Sequence, residues 1–398
     1  MKNDMNKLIL KLIAIILILL SSLFSLSGCW SRRELNDLGI VMGFAIDKGE
    51  KEELDVTVQL IKPGSISTIS AGGSGGGTGA SGQSNAYWNA KVSGSNLFYM
   101  LREITHMVDR KLYTAHAEAI VIGKDLAEEG IKNHLDFFMR DQEVRLSVML
   151  LIADGKASDV FDTNPGLEQI PANNLAKLLQ IQHVTSETPE MRIKDYIDCL
   201  ESGSSSCALP FVKIRKQGED NNLAIEGSAV LKKDKMVGEL DNKETRGLLW
   251  TLGKVESGII DVQAPIDGIA EIEIIEAKSK STPAIQADGT IAINVEVKVT
   301  GFLGTQSSTA DLTKKENTEA LKTAAGEAIK DEIKRALKKA RDLDADVFQF
   351  GELIKKKYPK KWKGMSDQWD EEFKKLKVNM NVEVKITQSG RITKPAVH

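Results

Sequence analysis

The chain has 398 residues, of which 41% are apolar, 27% charged and 5% aromatic, and its formal net charge is -3. This mixed, mildly acidic balance argues against nucleic acid as a main partner, because phosphate contacts need a basic stripe, and so few aromatics argue against a surface that stacks sugars or bases. Ile, Val and Leu are abundant enough for real cores, and at about 150 residues per domain the length implies two or three of them.

Lys2, Lys7 and Lys11 precede an apolar run from Leu12 to Leu20 with Leu23-Phe24, the charged and apolar regions of a secretory signal. Ser21, Ser22, Ser25 and Ser27 follow so closely that the run is too short for a spanning helix, which needs about 20 apolar residues. Leu26-Ser27-Gly28-Cys29 then places a small pair directly before a cysteine, the bacterial lipobox. Residues 1–28 are accordingly expected to be a lipoprotein signal peptide, cut to leave Cys29 as the lipid-attachment residue. The alternative is an ordinary signal or an uncleaved anchor with an incidental cysteine; both put the rest of the chain outside the cytoplasm. Trp30 to Leu38 reads either as a helical turn beside the membrane, where indole is favoured, or as a spacer.

Gly39 to Ile46 predicts a buried strand, and Leu54 to Ile61 alternates like a half-buried one. Residues 65–85 are Gly, Ser, Thr and Ala almost throughout. Gly77-Thr78-Gly79-Ala80-Ser81-Gly82 has the spacing of a dinucleotide fingerprint, but no strand enters it and no apolar helix leaves it, so it reads as a surface loop. Further strands are expected at Tyr87 to Val92, Ala117 to Ile122 and Leu146 to Ile152. Helices are expected at Asn96 to Val108, Lys124 to Asn133, His134 to Met139, Leu175 to Gln182 and Met191 to Leu200. Residues 29–200 thus form an N-terminal α/β domain with a helical extension at 164–200. Cys199 and Cys207 flank a serine-rich loop; a disulfide and two separate thiols are both compatible with that spacing.

Residues 207–282 are expected to form a β-rich middle domain around a helix at Asn242 to Leu252, and 283–398 a C-terminal sheet with a long helix. Ile291 to Thr300 alternates cleanly. Thr313 to Arg341 carries Leu321, Ala325, Ile329, Ile333 and Leu337 as a buried stripe. Thr313 and Glu316 have capping-box spacing, and Gly326 in mid-helix implies close packing or a slight bend. The basic run Lys355 to Lys363 around Tyr358 and Trp362 suits either anionic headgroups or a solvated helix end. The fold class is therefore α+β, three mixed α/β domains, each a sheet packed with helices. His116-Ala117-Glu118 lacks the cysteine pair of a zinc deaminase, and neither a G-x-S-x-G elbow nor C-x-x-C or H-E-x-x-H spacing occurs, so no catalytic residue, metal or cofactor is expected.

Cys29-Trp30, Arg33 to Asp37, Ile46-Asp47, Val56-Thr57-Val58-Gln59, Asp136-Phe137-Phe138-Met139-Arg140-Asp141, Ile225 to Val230 and Glu244-Thr245-Arg246-Gly247 together resemble the Ger(x)C family of spore germination lipoproteins. Ser31 departs from the aspartate usual after Cys-Trp. The resemblance implies a noncatalytic accessory subunit of a nutrient germinant receptor, held by Cys29 on the outer leaflet of the spore inner membrane beside polytopic subunits. A solute-binding lipoprotein feeding a transporter is the alternative, and it requires a two-lobed cleft.

Overall fold

The computed structural model describes residues 2–25, 37–50, 53–65, 85–202, 204, 206–218 and 220–387. Lys2–Ser25 is helical (α1), and among the described residues no helix is long and apolar enough to cross a membrane.

Strand β1 (Leu38–Lys48) is buried along nearly its whole length, as its continuous apolar sequence requires of a strand covered on both faces. It stands near the middle of a nine-stranded mixed sheet. Antiparallel β2 (Leu54–Ile61) and β3 (Tyr87–Gly94) lie on one side of it. Helix α2 (Leu97–Ile104) then leads to short β4 (Lys111–Tyr113), which pairs with the start of β1. On the other side β5 (Ala119–Ile122), β6 (Met149–Ala153) and β7 (Ser206–Gln217) run parallel to it. Antiparallel β8 (Asp220–Lys232) and β9 (Lys235–Leu240) complete the sheet.

The crossovers put helices on both faces. Helices α2, α3 (Lys124–Glu129), α4 (Lys132–Arg140) and α7 (Ile193–Leu200) cover one face through Met100, Leu126, Phe138 and Tyr196. Helices α5 (Ala157–Phe161) and α6 (Pro171–Ile181) cover the other through Phe161, Leu175 and Leu179. The alternation in β2 was expected to turn polar residues to water; instead Thr57 and Gln59 are buried under α5 and α6. Gln59 is 0% exposed because its amide is used in full: Oε1 accepts the Ala172 N–H at 2.9 Å, on the first turn of α6, and Nε2 donates to Asn89 at 3.0 Å. Cys199 of α7 and Cys207 of β7 are joined by a disulfide, and both are buried.

The second sheet has the order β10 (Ile259–Gln263), β11 (Ile269–Ile285), β12 (Ile291–Gln306), β13 (Lys377–Ile386), with β13 parallel to β12. The strands of the stretch 207–282 are therefore shared between the two sheets. Helix α8 (Asn242–Leu252) lies between them, and α9 (Lys315–Asp342) packs its Leu321, Ala325, Ile329 and Ile333 stripe on the second sheet. The capping box expected at Thr313 is not formed: the Thr313 hydroxyl donates to Asp311 and the helix starts after Lys314. Gly326 has room for a methyl group, its nearest neighbour at Val382 lying 3.8 Å from an ideal Cβ, so no close approach explains it. Helices α10 (Phe350–Lys357), α11 (Pro359–Trp362) and α12 (Trp369–Lys375) fill the end of this core. The basic run is partly engaged: Lys357 donates to the carbonyl of Pro283 near the end of β11, and Lys361 to that of Gly289 in the β11–β12 turn.

Candidate interaction surfaces and the junction behind them

The first surface is a groove of about 360 Å³ between the start of α2 and α4. Asn96 caps α2 by accepting the Tyr99 N–H, and this sets Phe98 and Tyr99 outward, 54% and 64% exposed. Arg102 lies 4.9 Å over the Phe98 ring. From Phe98 the aromatics run inward: Phe137 at 6.1 Å, Phe138 a further 5.2 Å on, and Phe44 of β1 5.0 Å beyond that. The groove wall is thus seated on the core. Asp136 and Arg140 pair at 2.7 Å along α4, and the Asp141 carboxylate accepts the Glu143 N–H at 2.7 Å. His134, on the same wall, is held below its ordinary pKa by burial, against the opposing pull of Glu129 and Asp234. An aromatic rim with a few charges suits a protein partner more than a small solute, since exposed aromatic and arginine side chains anchor interfaces.

Sequence motifs far apart in the chain meet at the junction of the two sheets. Asp241 and Glu244 form a reciprocal capping box at the start of α8. One turn on, the buried Thr245 hydroxyl lies 3.0 Å from Ser228 on β8. Arg246, 4% exposed, donates to both carboxylate oxygens of Glu332 on α9, at 3.0 and 2.5 Å, and to the Ile259 carbonyl at 2.9 Å. Trp250 donates to the same Glu332 at 2.9 Å. Burial works against the Arg246 charge, but the hydrogen bonds and charge of Glu332, with Glu187 at 3.6 Å, outweigh it and raise the guanidinium's pKa. Gly247 is required by the close crossing of α8 and α9: an ideal Cβ there would stand 2.2 Å from the Glu332 carbonyl oxygen. Gly227 adopts φ +68° beside the Leu240 carbonyl, a conformation that glycine alone takes without penalty.

Asp47 is a third motif residue with a structural task. Its carboxylate, at the end of β1, accepts the N–H groups of Ala157 and Ser158 at 2.6 and 2.9 Å and so caps α5 from a distant strand. A polar cleft of about 680 Å³ opens beside the junction, lined by His183, Thr188, Glu190 and Arg192 on one lip and Lys254 and Glu256 on the other. Among the described residues no cluster of three or more potential metal ligands exists. Cys29, the one site residue expected from sequence, lies outside the described residues, as do Trp30 and the glycine-rich stretch 66–84. The sequence motifs Asp136 to Asp141 and Glu244 to Gly247 pointed to these places without showing that the first lines a groove and the second a buried ion pair.

Two family models match the chain: one described as spore germination protein N-terminal domain, over residues 31–214, and one as spore germination B3/GerAC like, C-terminal, over residues 226–390. The chain is 29% identical to spore germination protein YndF of Bacillus subtilis, over 92% of this chain and 94% of that protein. It is 27% identical to spore germination protein KC of the same organism, over 97% and 98% of the two chains. It is 23% identical to spore germination protein GerQC of Bacillus cereus, over 94% of this chain and 98% of that one. The crystal structure of the GerBC protein shares the fold, with a TM-score of 0.57 at 22% identity, over 86% of this chain and 96% of that one.

Proposed function

Because this chain belongs to the Ger(x)C family of spore germination proteins, we propose that it serves spore germination as the noncatalytic accessory subunit of a nutrient germinant receptor. It is held by a diacylglyceryl group on Cys29 at the outer face of the spore inner membrane, beside polytopic subunits that sense and conduct. The observation that carries this reading is coverage: the two family models account for residues 31–214 and 226–390, and the relatives align from end to end. The α2–α4 groove supports a role through contacts, since it offers aromatic and charged side chains on a rigid wall.

Deleting the protein is expected to abolish germination by the nutrients its receptor senses. Cys29→Ala is expected to leave an uncut, unacylated precursor, seen by mass spectrometry, with germination lost to a similar degree. Undiminished nutrient-triggered germination in both strains would overturn the reading. The cleft between the sheets is what a solute-binding lipoprotein would use. Calorimetry of the detergent-solubilised protein with amino acids and sugars separates the two, because only the second reading requires saturable heat.

A further inference from the structure

The edge of the second sheet combines two features that no task described above uses. Strand β13 pairs with β12 over ten residues, Ala292 with Lys377 through Gly301 with Ile386, and among the described residues its other edge is unpaired. An open row of N–H and C=O groups is a template for another strand.

Beside the open edge lies a groove of about 540 Å³ between the last turns of α9 and the start of β13. Its floor is apolar, with Leu337, Leu376, Val378 and Met380, and its rim is cationic. Lys334, Lys338 and Arg341 stand at steps of four and three on α9, so they share a helix face. Lys375 and Lys377 also line the groove, and among the described residues Asp342 is the lone acid of the lining. All four lysines are exposed, and none forms an ion pair with a described residue. Arg341 donates from Nη2 to the Leu376 carbonyl at 2.6 Å, while its Nε is buried without a partner.

We infer that the free edge of β13 takes an extended acidic segment of a partner protein, added as a fifth strand, with carboxylates at alternate positions turned toward Lys334 and Lys338. Alternation follows from strand geometry, because successive side chains point to opposite faces. Val378, Met380 and Val382 pack toward α9, so the side chains of an added strand on that face come under the α9 lysines. Main-chain pairing supplies affinity and side-chain charge supplies choice, the usual division in strand addition. A concave groove along a strand edge matches an extended peptide better than the flat charge of a bilayer. The inference does not rest on the germination reading, and its failure would leave that reading intact.

The test titrates the detergent-solubilised full-length protein with a labelled ten-residue peptide alternating glutamate and valine. A peptide of the same composition with its five glutamates in one block serves for comparison, as does short-chain phosphatidylglycerol. The expected result is saturable binding of the alternating peptide, slowed hydrogen exchange of β13 amides, and at least tenfold weaker binding in Lys334→Glu/Lys338→Glu and in Lys375→Glu/Lys377→Glu. All four lysines are surface residues, so an unchanged melting curve is expected to show both variants folded. Equal binding of the block peptide, or binding without β13 protection, would reduce the groove to a charged patch and overturn the inference. Protection by phosphatidylglycerol but not by the peptide would overturn it in favour of a membrane surface, and so would absence of all binding.

Discussion

The two sheets solve the same problem with different chemistry. The first is covered on both faces, so β1, β5 and β6 are apolar almost throughout, and its buried polar groups act as remote caps: Asp47 on α5, Gln59 on α6. The second is covered chiefly on one face, so β12 alternates, and its buried polar groups include ionisable ones: Arg246 with Glu332 at the junction, Asp346 at the α9–α10 turn. The lesson is where each region is vulnerable. A capped helix end that loses its cap still reaches some water or backbone, whereas a buried charge that loses its partner does not.

The largest expected effect breaks this comparison at Glu332. Glu332→Ala strands the Arg246 guanidinium and the Trp250 N–H in the core, and the loss is expected at about 3–5 kcal/mol, read as a lower urea midpoint. The double variant Arg246→Met/Glu332→Leu is expected to recover much of it, because no unpaired charge remains. A single variant as stable as the wild type would show that the junction does not depend on the pair.

Next, Cys199→Ala/Cys207→Ala opens a loop of eight-residue separation in the first region. The expected loss is about 2–3 kcal/mol by loop entropy, confined to the first sheet. Hydrogen exchange that loosens β12 as much as β7 would contradict the separation of the two cores.

The regions are also expected to respond oppositely to pH. Burial lowers the His134 pKa from 6.5, so the contribution of the first region is present above that value and is lost as pH falls through the folded value. Burial raises Asp346 to about 7, outweighing the N–H donors of Gly351, Phe350 and Trp369. That contribution is complete below the unfolded value of 3.8 and is lost as pH rises through about 7. The slope is at most about 1.4 kcal/mol per pH unit, and Asp346→Asn is expected to flatten the alkaline limb. Amide exchange in β1 and β12 between pH 5 and 8 is expected to diverge; parallel profiles would refute the assignment.

The smallest effect is a gain. Gly326→Ala on α9, whose added methyl would meet Val382 at ordinary contact distance, is expected to stabilise the second region by up to about 1 kcal/mol, measured as a raised melting temperature.

The order and type of most elements were legible, because burial imposes a period on the chain: 2 in β12, 3.6 in the Leu321 to Leu337 stripe of α9, none in β1. Helix α8 was expected at Asn242 to Leu252 and is found there, with Asp241 as its cap. The alternation of β2 misled because Gln59 looks solvated until a helix from residues 171–181 is placed on top of it. The Thr313–Glu316 spacing misled because the helix begins at Lys315 with Lys314 as its N-cap, which leaves Thr313 outside the capping position. The groove wall at Asp136 to Asp141 was legible as a motif, but its aromatic rim at Phe98 comes from a helix that the motif does not include.

What the amino-acid order determined unaided was local: which segments form strands and which form helices, and which residues carry the family pattern. Partnership across distance was decided by tertiary structure alone. Arg246 and Glu332 are 86 positions apart, Asp47 and Ala157 are 110, and neither pair leaves any periodic trace in the chain. Periodicity records the side of an element that meets the core, whereas the identity of the residue waiting there depends on how the elements stack.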